Sequence, residues 1–277
     1  MTALGPELAL ASGARLPRLG FGTFRLEPGA PTRRAVETAL AAGYRHIDTA
    51  SIYGNEADVG AAVRASGIPR ADLWITTKLW RDDDGPTAAR EAFLRSCAAL
   101  DLGPPDLYLL HWPTPRRAAN WTVLQELRDA GEVREVGVSN FLGPHLDELR
   151  DAGLPTPAVN QLELSPFILG SRRAIVDRCR ADGIVLEAYS PLTKGARLDD
   201  AAVRAIADEA GRTPAQVLLR WGIQQGFVVL PRSTDPGRIA ENADLWGFAL
   251  DDTQMARLDA LDEGLVTGWD PSSTLAG

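Results

Sequence analysis

The sequence predicts an α/β protein folded as a (β/α)8 TIM barrel, and three observations support this. Short apolar runs alternate with helix-like stretches eight times along the 277 residues. Near-continuous apolar runs are typical of parallel strands that are buried on both faces. One such barrel needs about 250 residues, which fits this length. No linker or charge block divides the chain, so we expect a single domain over residues 1–277.

A hairpin is predicted before the barrel. The segments ELAL (7–10) and ARLPRLGFG (14–22) flank a turn at Ser12 and Gly13, and apolar segments around such a pair are typical of a β-hairpin. We expect this hairpin to cap the bottom of the barrel, with the first barrel strand ending at Thr23.

Seven further strands follow in order, and each is followed by a predicted helix. The strands are expected at 44–50, 72–79, 106–112, 133–140, 158–164, 183–190 and 227–233. The helices are expected at 31–43, 55–67, 85–103, 118–131, 143–153, 171–183, 199–211, 213–226, 235–247 and 251–263. Gly43 and Gly67 end the first two helices, where glycine takes a left-handed conformation at little cost.

A doubly wound sheet is the alternative to a barrel. That fold would place a glycine-rich phosphate loop after the first strand. The only candidate is Gly20-Phe21-Gly22, which lacks a third glycine and a following helix start. The barrel is therefore preferred.

Composition excludes several classes of function. The net charge of −8 argues against nucleic-acid binding, and an anionic ligand would need a local basic pocket. Cys97 and Cys179 do not suggest a disulfide framework, and no signal peptide or membrane-length apolar run is evident. We therefore expect a cytoplasmic, monomeric barrel without a membrane partner. The three histidines do not have metal-ligand spacing, so no metal is predicted.

Polar side chains stand where three consecutive strands end, at Asp48 with Tyr53, at Lys78 and at His111. In a parallel barrel these ends meet at one rim, where catalytic residues lie. An ammonium lowers the pKa of a nearby phenol, so we expect Lys78 to lower that of Tyr53. Asp48 would hold Lys78, and His111 would bond a substrate oxygen. This pattern indicates a proton-donating site aimed at a carbonyl.

The last strand end indicates a phosphate site. Asp235 and Pro236 are typical of a helix start, whose free N–H groups bind anions, and Arg232 and Arg238 flank it. Tyr189 can stack on a flat ring, while Asn140 and Gln161 can bond an amide. Together these features point to a nicotinamide dinucleotide. The alternatives are a capped helix with two exposed arginines, a Tyr189 that packs under a loop, and amides of Asn140 and Gln161 that satisfy backbone groups.

Seven segments together resemble the aldo-keto reductase family over nearly the whole chain. They are GYRHIDTASIYGNEADVG, TTKLW, LLHWP, GVSNF, VNQLEL, AYSPL and LPRSTDPGRIAEN. In length and in HWPTP the chain is similar to the short bacterial members, including those like 2,5-diketo-gluconate reductase. The resemblance implies a (β/α)8 barrel that reduces aldehydes and ketones with NADPH.

The resemblance also implies roles for individual residues. Tyr53 would be the proton donor, Lys78 and Asp48 the pair that tunes it, and His111 the group that orients the carbonyl. The implied cofactor contacts near the nicotinamide are Thr23, Phe24 and Asp48, together with Ser139, Asn140 and Gln161, which would bind the carboxamide, and Tyr189, which would stack on the ring. Ser190 and Leu192 would lie along the pyrophosphate. Arg232, Ser233, Thr234 and Arg238 would bind the 2′-phosphate, and Glu241 and Asn242 would lie at the adenine. Phe24, Trp80, His111 and Trp112 are expected to line the substrate pocket.

Three departures from the family pattern carry expectations. Arg232 stands where the family more often has Lys, and Asp235 puts a carboxylate beside the expected 2′-phosphate. NADH is therefore expected to compete with NADPH. The chain also ends early, at GWDPSSTLAG, so we expect a more open pocket than in relatives with longer tails.

Two other functions remain open at this point. One is a non-catalytic barrel that binds the cofactor as a sensor or interaction partner. The other is a phosphate-sugar isomerase or aldolase in which Lys78 forms a Schiff base. The first would not consume NADPH with an aldehyde, and the second would need no cofactor.

Overall fold

The computed structural model describes residues 5–276 and contains a closed barrel of eight parallel strands. Each strand is hydrogen-bonded to the next one in chain order, as the sequence predicts. The barrel strands are β3 Phe21–Gly22, β4 His46–Asp48, β5 Trp74–Leu79, β6 Leu107–Leu110, β7 Glu135–Ser139, β8 Val159–Glu163, β9 Val185–Tyr189 and β10 Val228–Leu230. Every residue of β4 to β8 is buried, because helices cover the outside of the barrel and side chains fill its interior.

The barrel closes between β10 and β3. Gly20 N donates to Val229 O at 2.9 Å, and Gly22 N donates to Pro231 O at 3.0 Å. A Cβ on Gly20 would lie 2.5 Å from Leu230 Cδ2, so only glycine allows this approach. The G-x-G of this segment therefore serves barrel closure.

The predicted hairpin is present and covers the end of the barrel where the strands begin. Its strands are β1 Glu7–Ala9 and β2 Arg15–Pro17. Leu10 and Leu16 pack in one apolar cluster with Trp74, Leu107 and Val228, the first residues of β5, β6 and β10. The opposite end, where the strands stop, is left to carry the polar rim.

Ten α-helices are found among residues 5–276, at the predicted places. They are α1 Ala30–Ala41, α2 Glu56–Ala65, α3 Pro86–Leu100, α4 Arg117–Asp129, α5 Gly143–Asp151, α6 Leu169–Ala181, α7 Ala201–Ala210, α8 Pro214–Gln224, α9 Pro236–Ala243 and α10 Asp252–Asp259. Gly43 and Gly67 have φ of 101° and 67°, as expected for glycines that end helices. In this part of the chain no helix has the length and apolar character to cross a bilayer.

Two of the helix boundaries that differ from the predictions share one reason. Helix α6 begins two residues early, and α10 ends four residues early. Asp262 Oδ1 accepts from Gly170 N at 3.0 Å and so satisfies the start of α6. Glu263 N and Leu265 N donate to Phe167 O, which draws residues 260–265 away from the α10 axis. These contacts join distant parts of the chain, so local sequence patterns do not reveal them.

Candidate active site

Lys78 and Asp48 form a buried ion pair at the rim. Lys78 is the next-to-last residue of β5, and Asp48 is the last residue of the adjacent β4. Lys78 Nζ donates to Asp48 Oδ1 at 2.6 Å and to Thr49 O at 2.9 Å. The exposed fractions of Lys78 and Asp48 are 0% and 4%. The strand ends therefore converge here, as the sequence predicted, and each charge compensates the other in a site with little water.

Tyr53 lies directly over this pair. It ends a short 3-10 helix, Ser51–Tyr53, that follows β4. Lys78 Nζ is 5.3 Å from the centre of the Tyr53 ring. Burial and the negative charge of Asp48 hold the pKa of Tyr53 well above its usual value of 10. The expected net lowering of this pKa by Lys78 is not seen, because burial and Asp48 both raise it. The phenol therefore stays protonated at neutral pH, as a proton donor must be.

His111 follows the end of β6 and faces Tyr53. Its ring centre is 5.7 Å from that of Tyr53 and 5.2 Å from that of Trp80, both in edge-to-face contact. Burial, with a contribution from the positive charge of Lys78, lowers the pKa of His111 well below 6.5. The imidazole is therefore neutral at pH 7 and offers one N–H group as a donor.

Gln161 connects the ion pair to a carboxyl group that the sequence analysis missed. Gln161 Nε2 donates to Asp48 Oδ2 at 2.9 Å and to Glu187 Oε2 at 2.7 Å. Glu187 lies inside β9 and is completely buried. An ionisable residue within the apolar run VLEAY was the available signal, because a charged side chain inside a buried strand requires a specific partner.

Asn140, the residue after β7, is bonded entirely to protein groups. Its Nδ2 donates to His111 O and to Ser139 Oγ, both at 3.0 Å, and its Oδ1 accepts from Tyr189 OH at 2.9 Å. Its φ of 64° is a left-handed conformation that Asn tolerates better than most residues. Asn140 therefore holds Tyr189 at the rim, and Ser139 donates its own hydroxyl hydrogen to Gln161 O at 3.0 Å.

The loop after β9 has a strained backbone. Ser190, Thr193 and Lys194 have φ of 49°, 49° and 54°, values that side chains with a Cβ rarely adopt. Ser190 and Leu192 are both half-buried in this loop. Strained loops of this kind concentrate at ligand sites, where surrounding structure holds them in place.

The segment between β10 and α9, with the first turn of α9, carries the predicted phosphate-binding residues. Arg232 and Arg238 are both exposed, and Arg232 Nη2 donates to Arg25 O at 2.6 Å. Asp235 is the N-cap of α9, and its side chain accepts from Arg238 N at 2.8 Å. Ser233 Oγ accepts from Asp235 N at 3.0 Å. The carboxylate thus already uses one N–H group that an anion at this helix start would otherwise receive.

The remaining predicted cofactor residues differ in accessibility. Thr234 and Phe24 are exposed, whereas Thr23 is completely buried and its Oγ1 donates to Asp48 O at 3.0 Å. Glu241 Oε1 accepts from the Thr213 hydroxyl at 2.7 Å, and Asn242, the next residue, is 4% exposed. Of Thr23 and Phe24, therefore, only Phe24 presents side-chain surface to a ligand.

Aromatic side chains form the wall around Tyr53 and His111. The ring centre of Phe24 is 5.1 Å from that of Tyr53. Trp269, near the end of the chain, lies 5.9 Å from Trp80 and 5.7 Å from Trp112, measured between ring centres. Trp269 was not among the predicted pocket residues, because only the folded chain brings it to the rim.

A carboxylate holds the C-terminal segment across the rim. Glu163, the last residue of β8, accepts from Thr267 N at 2.9 Å and from Gly268 N at 3.3 Å. Lys194 Nζ also donates to Thr267 O. The short tail, which was expected to leave the pocket open, therefore still lines one side of it.

The described residues contain no cluster of three or more His, Cys, Asp or Glu placed to hold a metal ion. His46 is buried inside the barrel, where its Nε2 lies 3.0 Å from Thr76 Oγ1. His145 caps its own helix, with its Nδ1 accepting from Leu142 N at 3.0 Å. The organised chemistry at the rim is therefore that of a phenol, an ammonium, an imidazole and carboxyl groups.

The closed parallel barrel with its buried ion pair beneath a rim phenol belongs to an NAD(P)H-dependent oxidoreductase, and the support for this class is the family match and the relatives. A family model described as the Aldo/keto reductase family matches residues 18–263. The chain belongs to the aldo/keto reductase family.

Individual relatives agree with this assignment. A 9,11-endoperoxide prostaglandin H2 reductase of Trypanosoma cruzi is 42% identical over 274 residues, covering 98% of this chain and 96% of the relative. A glyoxal reductase of Bacillus subtilis is 39% identical over 275 residues, covering 99% of both chains. The crystal structure of an aldo/keto reductase from Brucella melitensis superposes with a TM-score of 0.89 at 39% identity, covering 95% of this chain and 99% of that one.

Proposed function

We propose that the protein reduces an aldehyde or ketone to an alcohol with NADPH, and that Tyr53 donates the proton. The observation that carries this proposal is the position of a protonated phenol over the Lys78–Asp48 pair, beside a neutral His111. Carbonyl reduction is also what membership of the aldo/keto reductase family supports.

The rim residues fit a nicotinamide dinucleotide. Both amide hydrogens of Gln161 are used inside the barrel, which leaves its carbonyl oxygen to accept from a carboxamide –NH2 group. Tyr189 is held by Asn140 and offers a ring face for stacking. Arg232 and Arg238 supply exposed guanidinium groups for phosphate. When bound, NADPH supplies the hydride for the carbonyl carbon.

The reaction requires a proton at the carbonyl oxygen. In our proposal that oxygen accepts hydrogen bonds from the Tyr53 hydroxyl and the neutral His111 ring. As negative charge develops on the oxygen, the Tyr53 proton passes to it and completes the alcohol. The phenolate that remains is stabilised by Lys78, whose ammonium lies 5.3 Å from the ring centre. Asp48 holds Lys78 in place through the 2.6 Å contact.

The proposed cofactor contacts favour NADPH, which carries a 2′-phosphate, over NADH by only a small margin. Arg232, Ser233, Thr234 and Arg238 surround the start of α9 and attract an anion. Asp235 opposes it through like charge and through its bond to Arg238 N. We therefore propose NADPH as the preferred cofactor and NADH as a competitor.

The proposed substrate is a small carbonyl compound with an apolar or aromatic side. Phe24, Trp80, Trp112 and Trp269 give the pocket flat apolar walls, which suit such a group. The names of the relatives, glyoxal reductase and prostaglandin H2 reductase, indicate that similar chains act on quite different substrates.

We further propose that residues 1–277 act as one monomeric unit in a reducing cytoplasm, in keeping with the free thiols of Cys97 and Cys179.

The alternative functions fit this geometry less well. Schiff-base chemistry needs a neutral, accessible amine, whereas Lys78 is 0% exposed and paired with Asp48. A sensor that only binds the cofactor has no need of a buried ammonium beneath a protonated phenol. The cost of burying these charges is more easily explained by catalysis.

The proposal is tested by following NADPH absorbance with a panel of aldehydes, keto acids and keto sugars. We expect NADPH to be consumed with at least one aldehyde and the Tyr53→Phe variant to lose this activity. A protein that binds NADPH but consumes none with any carbonyl would support the sensor function instead. Trapping of a substrate on Lys78 by borohydride would support the aldolase function.

A further inference from the structure

Glu187 occupies an unusual place below the proposed active site. It lies in the interior of β9, two residues before Tyr189, and has no exposed surface. Its Oε2 and Asp48 Oδ2 accept the two hydrogen bonds that Gln161 Nε2 donates, at 2.7 Å and 2.9 Å. An amide nitrogen carries two hydrogens, so both are used.

This arrangement fixes the orientation of the Gln161 side chain. If the amide were turned over, its oxygen would face the Asp48 carboxylate, which has no hydrogen to donate, and it could bond Glu187 only through the acid proton of that group. The carboxyl groups therefore select the orientation in which the nitrogen points inward. The Gln161 carbonyl oxygen then remains as the acceptor that the side chain can offer to a ligand.

No cation is bonded to Glu187 among residues 5–276. Lys78 is engaged with Asp48, and His46 Nε2 lies 4.0 Å from Glu187 Oε1. Burial lowers the pKa of His46 to about 4, so its ring is neutral at pH 7. Burial and the charge of Asp48 raise the pKa of Glu187 to about 8, although Gln161 and Lys78 oppose the rise. The groups that act on Glu187 are therefore His46 and Asp48 on β4, Lys78 on β5 and Gln161 on β8.

We propose that Glu187 is a positioning residue: with Asp48 it sets the Gln161 amide as an acceptor for the nicotinamide carboxamide. The inference rests on the proposed function, because it concerns binding of the same cofactor. Glu187 touches neither substrate nor cofactor in this arrangement and acts through Gln161.

The charge of Glu187 has a different effect on the two cofactor forms. The oxidised nicotinamide ring is positively charged, whereas the reduced ring is neutral. An ionised Glu187 therefore attracts the oxidised form and leaves the reduced form nearly unaffected. Both forms carry the same phosphates, so ionisation of the phosphates changes both dissociation constants equally. The ratio of the two constants is therefore free of this effect.

The test is calorimetric titration of NADP+ and NADPH between pH 6.5 and pH 9.5, which brackets a pKa of about 8. In the wild type we expect the ratio Kd(NADP+)/Kd(NADPH) to fall by at least about threefold as the pH rises. In Glu187→Gln, which keeps an acceptor for Gln161 but does not ionise, the ratio should stay constant. In Glu187→Leu, which removes the acceptor, both constants should rise about fivefold at every pH.

Glu56→Gln is the matched control. Glu56 is also a buried carboxyl group, and burial raises its pKa, but it bonds Thr77 Oγ1 at 2.6 Å and is not part of the Gln161 network. This variant should keep the pH-dependent ratio of the wild type.

A Glu187→Gln variant whose ratio still falls with pH would overturn the proposal, and so would a folded Glu187→Leu variant that binds both forms normally. If Glu187→Leu does not fold, Glu187→Gln decides. If the wild type binds neither cofactor form, the proposed function itself is wrong.

Discussion

The Lys78 ammonium and the Asp48 carboxylate are 2.6 Å apart, and both side chains are almost completely buried. Removing one partner leaves the other charge unpaired in a dry site, which typically costs about 3–5 kcal/mol. We therefore expect Lys78→Met and Asp48→Asn each to lower the free energy of unfolding by about this amount, as measured by urea denaturation.

The double variant Lys78→Met with Asp48→Asn separates pairing from burial. Because neither charge remains, its loss of stability should be smaller than the sum of the two single losses by about 2 kcal/mol or more. Additive losses would show that the two charges do not stabilise each other.

Replacing Tyr53 by Phe removes the hydroxyl group and retains the ring. Because the proposed general acid contributes about 10²- to 10⁴-fold to the rate, kcat should fall by a factor in that range. The Kd of NADPH should stay within about twofold of the wild-type value, since the phenol is not a proposed cofactor contact. Turnover near the wild-type level would remove Tyr53 from the mechanism.

Stability should depend on the ionisation of His46. The pKa of this buried imidazole is lowered to about 4, whereas in the unfolded chain it lies near 6.5. The unfolded state therefore takes up the proton first, and stability is lost as the pH falls from 6.5 towards 4. When the pH is lowered from 7 to 5, the free energy of unfolding of the wild type should fall by about 2 kcal/mol more than that of the His46→Gln variant, as measured by urea denaturation. An equal response of both proteins to pH would contradict the buried neutral ring.

Asp235→Ser tests the cofactor preference. Serine is also a good N-cap, so the start of α9 should persist while the negative charge is removed. We expect the Kd of NADPH to fall about threefold and that of NADH to remain unchanged. Asp251→Ser is the control, because Asp251 caps α10 through the same kind of bond, to Gln254 N at 2.8 Å. Equal effects of both substitutions would indicate a general change of charge.

Trp269→Ala tests the part of the pocket wall that the C-terminal segment contributes. Loss of the contacts with Trp80 and Trp112 should raise KM for an aromatic aldehyde about fivefold, with little change for a short aliphatic aldehyde. Trp246→Ala is the control, since Trp246 packs beside Gly5 and not at the rim. A uniform rise for all substrates would show that Trp269 only supports the fold.

The sequence alone predicted the barrel, the hairpin and the convergence of Asp48, Tyr53, Lys78 and His111. This was possible because a parallel barrel places all strand ends on one rim, so the position of a residue along its strand determines where it lies. The order of apolar runs was sufficient for that inference.

Features that depend on contacts between distant segments were not predicted. The bond from Gln161 to Glu187, the capping of α6 by Asp262 and the arrival of Trp269 at the rim each join parts of the chain that no local pattern connects. The direction of the Tyr53 pKa was also missed, since it depends on how deeply the folded chain buries the phenol and on the charge of Asp48 beside it.

The position of Trp269 has a practical consequence for work with the protein in solution. Three of the seven tryptophans, Trp80, Trp112 and Trp269, stand together at the one open mouth of the barrel. Tryptophan emission overlaps the absorption band of reduced nicotinamide. Energy transfer would therefore quench the fluorescence of these residues when the reduced cofactor binds beside them. The chain thus carries its own optical reporter, and occupancy can be followed without a label.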